Sequence, residues 1–355
     1  MQTLIEQWVG EAVVTTYDQP TGTWIFVAIH DTTLGPAMGG CRIKSYPTPT
    51  DGLRDAMRLA EGMTHKWAAI GFDLGGGKSV LAVPRPLTGE DRRGLLRRFG
   101  ALIASLRGLY ACGPDLGSTP NDMAVIGEET EHVHGYDRTT GQLLDPGPYT
   151  ALGVYSGLRA ALRHVFNSDE LQGRTVLVQG VGDVGEPLAR MLSEAGAIVL
   201  LSDSDDPKVT RLGKALGAAC VASDAVYGTQ CDVYAPCAVG ATLNAETIPR
   251  LACRIVAGSA NNQLGEEADA ERLHERGILY APDYVINAGG ATALPLLGTG
   301  HDPQQVRERI RGFETTLTEI FNEARSRRES PFHAAHRRVA RVLATRRAKA
   351  QSTSQ

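Results

Sequence analysis

The chain has 355 residues, 42% hydrophobic and 21% charged, with a formal net charge of −4. That is enough for two domains of about 150 residues each, and the mildly acidic balance supplies no basic field for nucleic acid. The one basic concentration, Arg337, Arg338, Arg341, Arg346, Arg347 and Lys349, has the spacing of a solvated helix face.

The six cysteines, Cys41, Cys112, Cys220, Cys231, Cys237 and Cys253, include no C-x-x-C pair. Reduced, mostly buried thiols are expected, with no metal site and no disulfide framework. No run of about eighteen apolar residues marks a membrane span, and the start Met1-Gln2-Thr3-Leu4-Ile5-Glu6 has no basic or apolar leader. The expectation is a cytoplasmic protein with no membrane partner.

In chain order, β-branched and aromatic runs at 12–17, 24–30 and 40–43, separated by turn residues, predict a small sheet. From Asp51 the period becomes helical, with Leu53, Ala56, Met57, Ala60 and Met63 behind a Thr50/Asp51 cap, so Lys66 falls near a helix end. Ser79–Val83 reads as a strand, which places Gly75-Gly76-Gly77-Lys78 at a loop-to-strand junction. There the missing Cβ atoms would let backbone approach a ligand. A helix opens at Thr88, an extended piece runs from Tyr110 to Asp115, and Thr119-Pro120 caps a helix expected to carry Met123, Ile126 and Val133.

Residues 135–148 are rich in turn formers and read as a linker after a first domain, 1–134. Residues 149–330 alternate helical stretches with strands at 174–179, 197–202, 232–235, 254–257 and 278–280, as a parallel doubly wound sheet requires. Apolar stripes at Val306, Ile310, Phe313, Leu317 and Ile320, then at Val339, Val342 and Leu343, predict long closing helices. The last, about 331–355, is a candidate to pack back on the first domain, and its polar end 351–355 is expected to fray. The fold class is α/β in two domains, with an active-site cleft expected between them.

Gly180, Gly182 and Gly185 form a G-x-G-x-x-G run after one strand, and Asp203 ends the next. In that setting Gly180 makes the tight turn, Gly182 admits a pyrophosphate to backbone N–H groups at a helix start, and Gly185 permits close helix–strand packing. Asp203 would bond the ribose hydroxyls. Asp205 and Asp206 follow it without an arginine, so NAD is expected over NADP.

These features, with Asp31–Gly40, Gly62-Met63-Thr64-His65-Lys66, Gly75–Lys78, Asp115–Ser118, Val178–Gly182, Tyr234–Cys237, Ala257–Asn262 and Tyr280–Gly290, resemble the leucine, valine, phenylalanine and tryptophan dehydrogenase branch of the glutamate dehydrogenase superfamily. The resemblance implies an NAD-dependent oxidoreductase with an N-terminal substrate and oligomerisation domain, a Rossmann-type NAD-binding domain, and a homo-oligomeric state in which strands at 11–30 could serve. It implies oxidative deamination of an apolar, branched-chain or aromatic L-amino acid to its 2-oxo acid and ammonium, and the reverse reductive amination.

The resemblance also implies roles. Lys66 would hold the substrate carboxylate with backbone at Gly39 and Gly40, while Met38, Asn262, Ala291 and Leu294 complete the substrate set. Lys78 would be the general base that activates water, and Asp115 would bind the amino group and share in proton transfer. Thr150, Gly180, Val181, Gly182, Asp183, Val184, Gly185, Asp203, Ala238 and Asn261 would bind the dinucleotide.

Departures from the family pattern are Pro114 in place of an acidic residue, His65 and Trp67 around Lys66, and the apolar, proline-bearing segment Ala291–Gly298. Small Ala291 and Ala293 favour a bulky or aromatic substrate, and Pro295 would alternatively shift a helix start. Two other readings stay open: an imine or keto reductase of a specialised metabolite, and a catalytically silent NAD-binding protein.

Overall fold

The alternating segment after residue 11 builds the first sheet of the computed structural model, which describes residues 1–353. The chain divides into two units. The first comprises Met1–Asp145, Leu294–His301 and the described chain from Val339, and the second Pro146–Ala293 and Asp302–Arg338.

In the first unit, β1 (Ala12–Asp18), β2 (Thr23–Asp31), β3 (Ala37–Lys44), β4 (Gly75–Ala82) and β5 (Tyr110–Pro114) lie in the order β1-β2-β4-β3-β5. Successive pairs β1/β2 and β2/β4 are antiparallel, whereas β3 runs parallel to both β4 and β5. A short helix not anticipated from the sequence, α1 (Gln2–Gln7), precedes them. The long α2 (Pro49–Ala69) is capped two residues earlier than expected, by Thr48. Thr48 Oγ1 accepts from the Asp51 amide while the Asp51 carboxylate accepts from the Thr48 amide, a reciprocal box that satisfies two orphan donors.

Helix α2 lays Leu53, Ala56, Met57 and Ala60 on Phe26, Ala28 and Val80 of the sheet. On the opposite face Ile25, Val27, Ile29 and Leu81 pack against Leu95, Leu96, Phe99 and Ile103 of α3 (Gly89–Ser105) and Met123 and Ile126 of α4 (Pro120–Ile126). Helix α4 stops at Ile126, so Val133 lies outside it and forms a parallel bridge with Cys112.

The triple glycine is not a loop. Strand β4 begins at Gly75, and all eight of its residues are buried. A Cβ at Gly76 would collide with Thr64 and lie 2.5 Å from the Ala60 carbonyl oxygen of α2, and one at Gly77 would lie 2.7 Å from the Tyr110 ring. The glycines let a helix and an aromatic ring approach a central strand. The expectation that their bare backbone faces a ligand is corrected: protein fills those spaces.

The second unit carries β6 (Thr175–Gln179), β7 (Ile198–Ser202), β8 (Ala219–Cys220), β9 (Val233–Pro236), β10 (Ile255–Val256) and β11 (Leu279–Tyr280) in the order β11-β10-β9-β6-β7-β8, every pair parallel. Counted from β6, this is the doubly wound order 3-2-1-4-5-6, and its crevice opens between β6 and β9. Helices α5 (Gly147–Phe166), α6 (Gly185–Glu194), α7 (Asp206–Leu216), α8 (Ala268–Glu275) and α9 (Asp283–Ile286) accompany the strands. The two-residue β8, too short for a periodic signal, was not anticipated.

Helix α10 (Gly289–Gly298) contains Pro295 in its interior, so the proline does not displace its start. A single long helix was not formed from the next stripe, because Gly312 divides α11 (Pro303–Arg311) from α12 (Phe313–Arg327). The closing α13 runs Pro331–Thr353; of the end expected to fray, 351–353 are helical, and Ser354 and Gln355 lie outside the described residues.

The basic cluster of α13 is not merely solvated. Arg346 pairs with Asp73 at 2.7 Å and Arg347 with the buried Asp31 at 2.5 Å, both within the first unit. Cys41, Cys112 and Cys253 are buried free thiols, while Cys220 is exposed. Among the described residues no helix is long and apolar enough to cross a membrane.

Candidate active site

Three neighbouring strands bring the chemistry of the first unit together. Lys78 on β4 is 5% exposed, and its Nζ lies 3.1 Å from Asp115 Oδ1 just beyond β5. Gly40 on β3 lies between them. A Cβ at Gly40 would sit 2.6 Å from Asp115 Cβ and 3.0 Å from Lys78 Nζ, so the absence of a side chain is what lets the pair meet. Gly113 is the register partner of Gly40 on β5 and continues the same row. Among the described residues a Cβ at Gly113 would meet only the His134 carbonyl oxygen at 3.7 Å and Leu294 Cδ1 at 3.8 Å. Gly113, bare beside Leu294, leaves a trench on the sheet face, whereas the space at Gly40 is taken up by Asp115 and Lys78.

The second carboxylate oxygen of Asp115 accepts from Arg42 Nε at 2.8 Å. Burial by itself would push this carboxyl up, but the adjacent charges of Lys78 and Arg42 override it and hold the group at about 2. The Asp115 amide donates to Ser118 Oγ at 2.9 Å, and Ser118 Oγ donates to the Cys41 carbonyl at 2.6 Å, which ties the loop bearing Asp115 to β3. Pro114, the departure noted in the sequence, is the last residue of β5, and its ring still permits pairing with Cys41.

Lys66 occupies the last turn of α2, partly exposed. The preceding turn packs Met63 toward Gly39, where a Cβ would lie 3.3 Å from Met63 Cγ, and Trp67 Nε1 donates to the Met38 carbonyl at 3.1 Å. The helix end is thus fixed to Met38 and Gly39 on β3. Beside Lys66, burial drives the His65 imidazole down to about 4, helped by the charge of His30.

In the second unit the glycine run lies at the carboxyl end of β6. Gly180 has φ +93°, and a Cβ there would lie 2.8 Å from Ala238 Cβ, across the switch between β6 and β9. Gly185 opens α6, packed on the Gly180 carbonyl, whereas among the described residues nothing lies within 4 Å of the Gly182 Cβ position. Val181 is buried; Asp183 is exposed and Val184 half-buried. Open backbone at a helix start fits a dinucleotide pyrophosphate.

Asp203, just past β7, accepts from the Val181 amide at 2.7 Å and the Asp205 amide at 3.1 Å. Its burial raises the carboxyl, but these amide bonds outweigh that and leave it below the usual range. Asn261 Oδ1 accepts from Asn287 Nδ2 at 2.7 Å. Asn262 follows at φ +51°, its carbonyl accepting from the Ala241 amide. Thr150 Oγ1 accepts from the Gly290 amide at 3.1 Å, joining the starts of α5 and α10. In α10, Ala291 is half-buried, while Ala293 and Leu294 are buried.

Sequence reasoning missed four residues. Arg42 lay in a segment read only as a strand, Asp55 on a helix read only for its apolar stripe, and Asn287 in a run quoted only for resemblance. His134, placed at a domain end, has a buried Nδ1 with no hydrogen-bond partner among the described residues, and burial takes its imidazole down to about 4. An arginine two residues after paired glycines on one strand was the available signal for Arg42, since alternate residues share a face.

Known proteins match this architecture. A model of the Glu/Leu/Phe/Val dehydrogenase dimerisation domain covers residues 18–132, and one of glutamate/leucine/phenylalanine/valine dehydrogenase covers 141–207 and 201–347. Leucine dehydrogenase of Bacillus cereus is 42% identical over 318 residues, 89% of this chain and 86% of that protein. L-tryptophan dehydrogenase of Nostoc punctiforme is 41% identical over 300 residues, 84% of this chain and 83% of that protein. The crystal structure of L-tryptophan dehydrogenase from Nostoc punctiforme superposes with a TM-score of 0.85 at 36% identity, covering 98% of this chain and 100% of that one. With family models spanning most of its length and relatives of this identity, the chain belongs to the glutamate/leucine/phenylalanine/valine dehydrogenase family.

Proposed function

We propose that the protein is an NAD-dependent L-amino-acid dehydrogenase that deaminates apolar amino acids to their 2-oxo acids and ammonium, and runs the reaction in reverse. The observation that carries this reading is the buried Lys78–Asp115 pair, brought together across bare Gly40 and next to the open Gly113 position. A lysine and a carboxylate in hydrogen-bond reach are a proton donor and acceptor set for adding water to an imine and expelling ammonia. The relatives named leucine, tryptophan and phenylalanine dehydrogenase support an apolar substrate.

In this reading Lys66 pairs with the α-carboxylate beside backbone at Gly39 and Gly40, and Asp115 accepts from the α-amino group. A nicotinamide dinucleotide held at the glycine run 180–185 would supply the hydride acceptor for the α-carbon. Lys78 then draws a proton from water as its oxygen bonds to the imine carbon, returns that proton to nitrogen, and takes the remaining hydroxyl proton as the C–N bond breaks, the carbonyl forms and ammonia leaves. Met38 and Leu294 border the substrate; Asn262 and Ala291 complete the set.

Residues 180–185, Asp203, Thr150, Ala238 and Asn261 hold the dinucleotide. NAD is favoured over NADP because an ionised Asp203, followed by Asp205 and Asp206, would face a 2′-phosphate. Bulky side chains are favoured because Gly113 adds no volume beside Leu294. The dimerisation-domain match supports a homo-oligomer.

The test is an absorbance screen of NADH oxidation with ammonium and apolar 2-oxo acids, 4-methyl-2-oxopentanoate, 3-methyl-2-oxobutanoate, phenylpyruvate and indolepyruvate, each repeated without ammonium. Ammonium-dependent oxidation with at least one is expected. Oxidation that needs no ammonium would identify a keto reductase, and none at all would overturn the assignment.

A further inference from the structure

Asp115 is held by more than the lysine it serves. Arg42 Nε donates to Asp115 Oδ2 at 2.8 Å, and Arg42 Nη1 donates to Asp55 Oδ2 at 2.9 Å. Asp55 is itself fixed. The Tyr46 hydroxyl donates to its Oδ2 at 2.7 Å and Arg58 to its Oδ1 at 2.9 Å. The Arg42, Asp55 and Asp115 side chains are 15%, 15% and 17% exposed, so this chain of bonds is largely shielded from water. A guanidinium with bonds to two carboxylates is fixed in plane and position, which a single ammonium could not achieve.

We propose that Arg42, braced by Asp55 and Tyr46, is the positioning residue of Asp115, locking its carboxylate so that Oδ1 faces Lys78 and the substrate nitrogen. The proposal rests on the dehydrogenase reading for the role of Asp115, but the brace itself is a property of the first unit. With Oδ2 bound to Arg42, the carboxylate keeps one oxygen for Lys78 and cannot rotate to offer the other. Without Arg42, Asp115 would keep its attraction to Lys78 but lose the bond that sets its angle, and misplacement by about 1 Å can cost roughly a hundredfold in rate.

The same geometry sets a titration. The groups around Asp115 are Lys78 on β4, Arg42 and the Cys41 thiol on β3, and the Tyr110 hydroxyl on β5, with Asp55 and Arg58 of α2 and Tyr46 beyond Arg42. Burial pushes the Cys41 thiol up to about 12 and the Tyr110 phenol well above its own usual range, so both stay neutral across the working range. Lys78 and Arg42 are thus the two charges that oppose burial at Asp115. Removing Arg42 leaves one, and the carboxyl must rise.

The experiment compares the full-length protein with Arg42→Gln, Arg42→Lys and Asp55→Asn, each checked by thermal melting and by NADH fluorescence titration. For ammonium-dependent turnover of the best 2-oxo acid from the screen, Arg42→Gln is expected to lower kcat/KM by about a hundredfold. Its acid limb should move to higher pH, with NADH affinity unchanged. Arg42→Lys should restore the limb but only part of the rate, and Asp55→Asn should cost about tenfold with the limb in place.

A readout independent of turnover is the ¹³C titration of the Asp115 carboxyl, assigned through Asp115→Asn, which should rise in Arg42→Gln. A folded Arg42→Gln with kcat/KM within about twofold of the parent and an unmoved Asp115 titration would overturn the proposal. Should the parent turn over none of the oxo acids, the dehydrogenase reading fails separately. The carboxyl titration then still decides the brace: a rise in Arg42→Gln supports it, and no change overturns it.

Discussion

Nζ of Lys78 lies 3.1 Å from Oδ1 of Asp115, with the carboxylate's other oxygen already committed to Arg42. The pair is therefore held in place before substrate arrives. Lys78→Ala leaves Asp115 neutralised by Arg42, so the chain should fold and keep NADH affinity while turnover falls by roughly 10³-fold. Steady-state rates beside an NADH fluorescence titration separate the two effects. Turnover within about tenfold of the parent would remove Lys78 from the chemistry.

Gly40 and Gly113 are register partners with opposite tolerance. At Gly40 a methyl group would meet Asp115 Cβ at 2.6 Å and the Pro114 carbonyl oxygen at 3.1 Å, and that backbone cannot yield cheaply. Gly40→Ala should lower kcat by more than about a hundredfold and reduce the melting temperature. At Gly113 the nearest atoms are at 3.7 and 3.8 Å, so Gly113→Ala should fold normally and take volume from the trench beside Leu294. Its kcat/KM for phenylpyruvate should fall by about tenfold relative to 3-methyl-2-oxobutanoate. An unchanged ratio would place the substrate side chain elsewhere.

The contrast between these glycines also marks what a sequence can and cannot tell. The doubly wound sheet was legible because β6, β7 and β9 are compact apolar runs and the glycine fingerprint follows β6. Lys78 and Asp115 stood out through family resemblance. Arg42 and Asp55 did not, because they meet only when β3 and α2 fold together, thirteen positions apart and with no local period linking them. The triple glycine misled for a related reason: glycine signals close approach, but only the fold shows whether the approaching group is a ligand or, as here, Thr64 and Tyr110. Arg346 and Arg347 read as solvated because their partners, Asp73 and Asp31, lie far away in the chain.

Asp203 staples the glycine loop through the Val181 amide and presents negative charge at the end of β7. Asp203→Ser would remove the charge that opposes a 2′-phosphate but also the strongest acceptor for a ribose hydroxyl. NADH should therefore bind more weakly by about tenfold, while NADPH binding improves or holds, narrowing the NADH preference. Fluorescence titration with both nucleotides measures this. A parent protein that prefers NADPH would reverse the assignment of Asp203.

Three imidazoles make the fold most sensitive to acid. Burial takes His65, His134 and His164 down to about 4, from an ordinary value near 6.5, and lowers His30 too. As pH falls through 6.5 the unfolded chain takes up these protons and the folded chain does not, so the stability, complete above 6.5, is lost progressively down to about 4. Asp115 acts lower, its contribution being present above about 4 and lost as pH falls toward 2. Denaturant midpoints between pH 7.5 and 4.5 should fall with decreasing pH. His134→Asn should flatten the slope, and a slope unaltered by that change would assign the acid sensitivity to other groups.

Arg347 reaches from α13 to the buried carboxylate of Asp31, at the end of β2, while Arg346 holds Asp73 on the approach to β4 and bonds the Leu34 carbonyl. Asp31 also accepts from the Thr33 amide, so without Arg347 it keeps one bond but loses its cation. Because the Arg347 side chain is 58% exposed, its pair is worth less than a fully buried one, and Arg347→Ala should cost only about 1 kcal/mol. The paired change Arg346→Ala/Arg347→Ala should cost more than the sum of the singles, since either arginine alone still holds α13 against the loop. High salt should shrink both effects, as the guanidinium groups are partly solvated. Chemical denaturation of the two singles and the double in low and high salt measures all of these quantities. Strict additivity would show that the two arginines act separately, with no shared docking of the helix.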